Sequence, residues 1–114
     1  MSLDRLYLIT PGFARPNHAA DARFACPDCN VLEGLLASDP LHAARLEVRR
    51  VPFERPRAEV VALLGEANQE LPALIFGDDA PSPDDAQEHA GVRFINDPAR
   101  IAEVLAQRHG FFRL

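Results

Sequence analysis

The chain has 114 residues, 47% of them apolar, and a net charge of −5 at neutral pH. That length suits one domain, large enough to hold a core without covalent staples, and the acidic balance offers no footprint for a nucleic-acid partner. No apolar run approaches the ~18 residues of a membrane span, and MSLDRLYLIT, with its early Asp4, does not read as a secretory leader, so the expected setting is cytoplasmic with no membrane partner.

RLYLIT (5–10) is a β-rich run that Pro11-Gly12 ends, and a long connection then leads to Ala25. A helix is signalled from Cys26. Pro27 suits its first position, Asp28 its first turn, and Val31, Leu32, Leu35 and Leu36 supply one apolar face before Ser38-Asp39-Pro40 closes it. LEVRRV (46–51) predicts a second strand. Pro56 opens a second helix with Val60, Val61, Leu63 and Leu64 on its apolar face, and Gly65 closes it. ALIF (73–76) and VRFI (92–95) predict two more strands. Asp97-Pro98 supplies a cap and first-turn proline to a last helix striped with Ile101, Val104 and Leu105; Arg108 and His109 suit its C-terminal dipole, and Gly110 ends it.

The predicted order is β-α-β-α-β-β-α: a parallel βαβ unit, a strand pair and a covering helix. This is an α/β fold with a four-stranded mixed sheet and helices packed on it, in a single domain over 1–114. All twelve basic residues are arginine. Arg45, Arg49, Arg50, Arg55 and Arg57 read as a solvated edge strand guarded by charge. GDDAPSPDDAQEHAG (77–91) reads as a solvated acidic loop, without the ligand-glycine-ligand spacing of a calcium-binding EF-hand.

The only two cysteines, Cys26 and Cys29, flank Pro27 and Asp28 in a C-x-x-C motif. As a disulfide staple the pair would close a loop of about four residues, worth only ~2 kcal/mol in the chain-entropy model. As a zinc site it supplies two of four ligands. His42 lies at a usable spacing but lacks a second histidine three to five residues on, and His18 could complete a set only if the long loop folded back. As a redox couple it needs least. At the N-cap, Cys26 would sit where unpaired helix N–H groups favour a thiolate, with Cys29 one turn on, placed to attack a mixed disulfide. Asp28, between them, complements the helix dipole but opposes an anion on Cys26. Of the histidines, His18 is the one placed to act as a base for Cys26, while His109 reads as a helix-terminal cation and His89 as a loop residue.

CPDC at a strand-loop-helix junction, followed by LPALIF before the third strand, resembles the thioredoxin-like superfamily, with a cysteine motif like the C-P-x-C of glutaredoxins. ELPALIF and GVRFINDPARIAEVLAQRHG resemble the second half of glutathione-transferase N-terminal domains, and the whole chain resembles an uncharacterised bacterial family of thioredoxin-like domains of unknown function. The resemblance implies thiol-disulfide exchange on a thiol or disulfide substrate, with Cys26 as nucleophile and Cys29 as resolving thiol. It implies a cis peptide bond before Pro72, with the Leu71 backbone presented to the ligand. It admits glutathione as that ligand, its γ-glutamyl end held at Asn96 and Asp97, with no bound cofactor or metal otherwise. Relatives commonly carry a small hydroxyl residue where Asp97 stands, and a carboxylate there repels the ligand's own. The runner-up is a non-catalytic thioredoxin-like binding module using the Pro72 cleft and the long loops; third is a zinc-binding protein.

Overall fold

A computed structural model describes residues 3–78 and 81–114, so positions 79 and 80 of the acidic segment lie outside the described residues. Strand β1 (Arg5–Ile9) is buried on both faces from Leu6 to Ile9, which fits its place inside a five-stranded sheet of order β2-β1-β3-β5-β4. β2 (Glu47–Val51) runs parallel to β1 at the sheet edge. β3 (Ala73–Ile75) runs antiparallel to β1, β5 (Val92–Ile95) antiparallel to β3, and β4 (Gln87–His89) antiparallel to β5 at the other edge.

The helices are α1 (Pro27–Ser38), a short α2 (Pro40–Ala43), α3 (Ala58–Leu64) and α4 (Pro98–His109). The Tyr7 hydroxyl donates to Glu59 of α3 at 2.7 Å, so α3 covers the face that Tyr7 points to. Its alternating neighbours Leu6 and Leu8 are fully buried on the opposite face, where α1 and α4 pack together. α1 buries Cys29, Leu32, Leu35 and Leu36; Val31, expected on that face, is half exposed instead. α4 buries Ile101, Ala102, Val104 and Leu105, and ends at Gly110 in the left-handed conformation, φ 78°.

The expected four strands are five. The additional strand, β4, lies inside the segment read as a solvated loop, and His89 is a strand residue. It pairs Gln87 with Phe94, Glu88 with Arg93 and His89 with Val92, through a two-residue turn in which Ala90 (φ 49°) and Gly91 (φ 83°) are both left-handed. Every residue of β4 is exposed and polar, so no apolar alternation announced it. Its His89 ring covers Gly65, where an added Cβ would come within 2.8 Å of the imidazole. Smaller corrections concern boundaries: β1 ends before Thr10, β2 begins after Leu46, α3 begins at Ala58 rather than Pro56, and β3 ends before Phe76.

Two buried carboxylates fasten the end of the chain. Asp4 accepts from the Arg108 guanidinium at 2.5 and 3.1 Å and from the Gly77 amide at 2.7 Å, and it meets His109 Nε2 at 2.7 Å. Burial pushes its carboxyl up, but His109, Arg108 and Gly77 together hold it well below the usual carboxylate range. Asp39 ends α1 and caps α2; it accepts from the His42 backbone at 3.4 Å and the Phe112 amide at 3.2 Å, and meets His42 Nδ1 at 2.7 Å.

Candidate functional site

The register places the cysteine pair, the Leu71–Pro72 turn and Asn96–Asp97 at one end of the sheet, and His42 lies away from it, against Asp39 and Phe111. Tyr7 pairs with Ala73 and Leu74 with Ile95, so the exit of β1, the entry to β3 and the exit of β5 lie side by side. Cys26–Cys29, Leu71–Pro72 and Asn96–Asp97 follow or precede those three strands.

Cys26 is the N-cap of α1, with extended backbone (φ −67°, ψ 120°), and its Sγ accepts the Cys29 amide at 3.2 Å. This is the geometry that an anionic cap requires: the first-turn N–H and the helix dipole both act on the sulfur. Pro27 occupies the first helical position, where a missing N–H costs nothing, and exposed Asp28 lies in the first turn. Both thiols are free. Cys26 is half-buried, whereas Cys29 is 2% exposed and its Sγ accepts the Ile9 amide at 3.5 Å. Burial pushes the Cys29 thiol up to about 12; its hydrogen bond to Cys26 and the charges of Cys26 and Glu33 add to this, against the opposing Ile9 amide. Cys29 therefore keeps its proton through the neutral range.

The Leu71–Pro72 peptide bond is cis, and both residues are buried directly ahead of β3. Asn96 and Asp97 lie two strands from β1, about 10 Å across the sheet at ordinary strand spacing. Asn96 Oδ1 accepts from Gln87 at 3.0 Å, and Asp97 Oδ2 caps α4 by accepting the Arg100 amide at 2.9 Å. The fold thus puts the two cysteines in contact and the cis-proline turn beside them, with Asn96 and Asp97 one strand further and already engaged.

Two features of this end were not anticipated. The connection 11–25 doubles back on itself: the Gly12 and Phe13 amides donate to Phe24 O at 2.8 and 3.2 Å, and the Phe24 amide returns to Phe13 O at 2.8 Å. It forms a narrow flap that delivers the chain to Cys26. Its rings are anchored, since Phe13 stacks on Phe53 at 4.1 Å and 4°, while Phe24 carries Arg15 over its face and the His18 ring against it at 4.8 Å. The described ring contact of His18 is thus with Phe24.

Arg57 is the second, and it corrects the solvated reading of the arginine cluster. It is 6% exposed. Its guanidinium donates to Phe53 O at 2.6 and 3.1 Å and to Gln69 O at 2.7 Å, lies over the Phe53 ring at 5.7 Å, and its backbone amide donates to Gln69 Oε1 at 2.8 Å. Arg49 and Arg50 do sit in solvent, paired with Glu59 and Glu33. Nothing local separates these arginines in sequence, because Gln69, the partner that buries Arg57, lies twelve residues away.

Among the described residues, no three histidine, cysteine or acidic side chains converge in a way that could hold a metal ion, and His42 is engaged by Asp39. None of the described helices is long and apolar enough to cross a membrane.

Fold and site together define a small α/β domain with a helix-capping cysteine pair at the end of a mixed five-stranded sheet. A family model matches residues 3–113, and the chain belongs to that family, DUF3088, described as a protein of unknown function. No curated protein and no solved structure matches the chain.

Proposed function

We propose that this chain is a thioredoxin-like, glutaredoxin-type protein that performs thiol-disulfide exchange through Cys26 and Cys29. The observation that carries the reading is the cap itself: Cys26 Sγ accepting the Cys29 amide at 3.2 Å, with the second thiol buried one turn behind it. Setting aside the edge strand β4 and the short α2, the order of elements is the β-α-β-α-β-β-α of the resemblance, and the cis Leu71–Pro72 bond lies beside the pair.

The steps follow from the two environments. The Cys26 thiolate attacks one sulfur of a substrate disulfide; a sulfur–sulfur bond forms to Cys26, the substrate bond breaks, and the departing thiolate takes a proton. Cys29 then loses its proton and attacks the Cys26 sulfur, closing the intramolecular disulfide and releasing the second substrate thiolate. The substrate gains two electrons and the dithiol loses two, so a thiol or dithiol reductant must restore the pair. The Cys29 amide holds the Cys26 sulfur at 3.2 Å throughout, while the buried Cys29 thiol keeps its proton until that second step. The Leu71 backbone at the cis-proline turn is the expected docking edge for a peptide-like substrate.

Trapping tests the proposal. Reduced Cys29→Ser protein mixed with a small disulfide should accumulate a mixed disulfide on Cys26, visible by mass, and Cys26→Ser should not. Silence of both variants would leave the non-catalytic binding module, with the Pro72 cleft and the 11–25 flap as its surface.

A further inference from the structure

We propose that Arg57 is a positioning residue for the chemistry of Cys26: a buried cation, held by carbonyl oxygens alone, whose charge is left to stabilise the thiolate. The inference rests on the exchange reading above and names the group that sets the nucleophile's ionisation.

A guanidinium taken out of water needs hydrogen-bond acceptors and a counter-charge. Arg57 has the first from Phe53 O and Gln69 O. Among the described residues no carboxylate pairs with it, in contrast to Arg49, Arg50 and Arg100, each of which holds an acidic partner. Its carbonyl partners solvate the charge without cancelling it.

Where it is held matters as much. Phe53, under the guanidinium, stacks on Phe13; Phe13 is bridged to Phe24; and Cys26 follows Phe24 by two residues. On the other side Gln69 stands two residues before the cis Leu71–Pro72 bond. Arg57 therefore braces the flap base and the cis-proline turn, the two segments that border the cysteine cap. Two carbonyl oxygens and the Phe53 ring hold it, where a surface arginine has water.

On the flap, Arg15 lies over the Phe24 ring and the His18 ring packs against it, two residues before Cys26. Burial lowers the Arg57 pKa and Arg55 lowers it further, while anions on Cys29, Cys26 and Glu54 act the other way. On the thiol side, Asp28 sits in the first turn of α1 and Glu33 acts on Cys29, both opposing an anion. Arg57 is the buried positive charge set against them.

The test reads ionisation rather than turnover. Arg57→Gln keeps hydrogen-bond donors and removes the charge. In the folded variant, alkylation of Cys26 at neutral pH should slow roughly threefold to thirtyfold and its pH midpoint should rise, and Arg57→Lys should restore much of both. A folded Arg57→Gln protein with an unchanged midpoint would overturn the proposal and leave Arg57 a purely structural brace. If Arg57→Gln does not fold, Arg57→Lys decides alone: the chain has no lysine, so the introduced side chain gives a single Nζ resonance. That resonance should step at the pH where Cys26 ionises, and the step should vanish when Cys26→Ser is added. Absence of a step overturns the proposal. None of these readouts requires exchange, so failure to trap a mixed disulfide would remove the proposed function while leaving the coupling measurable.

Discussion

Asp4 and His109, 105 residues apart in the chain, meet at 2.7 Å beneath the first strand. Arg108 completes the cluster from the same helix turn, and the partly exposed pair closes over one buried carboxylate. Because the folded-state pKa of Asp4 is depressed, its contribution to stability is complete above the unfolded value near 4 and drains away as pH falls toward the folded value. Asp4→Asn removes the charge that Arg108, His109 and the Gly77 amide share and should cost about 1.5–3 kcal/mol at neutral pH. Urea unfolding between pH 7 and 3 should show a flatter acid limb in the variant. An acid limb as steep as that of the parent chain would assign acid sensitivity elsewhere.

The alkaline limb has a different owner. Burial raises the Cys29 thiol from 9.0 to about 12, so the unfolded chain releases that proton first and stability falls as pH rises through this window. Tyr7, raised from 10.0 to about 12 by burial and by Glu59, acts in the same direction but begins later. Cys29→Ala should remove the earlier part of the loss, and Tyr7→Phe the later part. Urea midpoints at successive pH values separate the two.

The flap should open independently of the sheet. Phe13→Ala removes the stack on Phe53, worth about 0.5–1.5 kcal/mol beyond burial. Hydrogen exchange at the Phe24 amide should then accelerate while the β1 amides hold their protection. Equal acceleration in both would mean that the flap is part of the global unfolding unit.

Glutathione should bind weakly to the native chain, because the Asp97 carboxylate already occupies the Arg100 amide that a ligand carboxylate would seek. Asp97→Ser should strengthen binding by roughly 0.5–2 kcal/mol, the cap loss partly offsetting the charge removed. Calorimetric titration of both proteins checks this, and tight binding to the native chain would reverse the role assigned to Asp97.

Asp28→His exchanges a charge that opposes the Cys26 anion for one that can favour it. Alkylation of Cys26 at mildly acidic pH should become faster. An unchanged rate would leave Asp28 with its dipole role alone.

What sequence made legible here was what local chemistry dictates. Cys26 before Pro27 and Asp28 announced a helix cap, and Asp97 before Pro98 announced another; both caps stand as hydrogen bonds of 3.2 and 2.9 Å. Apolar β1 was plain because both its faces are covered. The features that escaped depend on partners remote in the chain. β4 is polar throughout and exists because β5 offers it a free edge. Arg57 looks like its neighbours until Gln69 and Phe53 close around it. Val31 fits the apolar stripe of α1 by spacing, yet the helix turns it outward.

The two buried carboxylates, Asp4 near the start of the described chain and Asp39 at the end of α1, each take a partner from residues 108–112 besides Gly77 and His42. During synthesis both are made long before those partners. Without residues 108–112, Asp4 keeps only the Gly77 amide and Asp39 only His42, so less of the desolvation cost of burying either is offset. The last helix therefore supplies most of the compensation for the buried carboxylate ahead of the first strand.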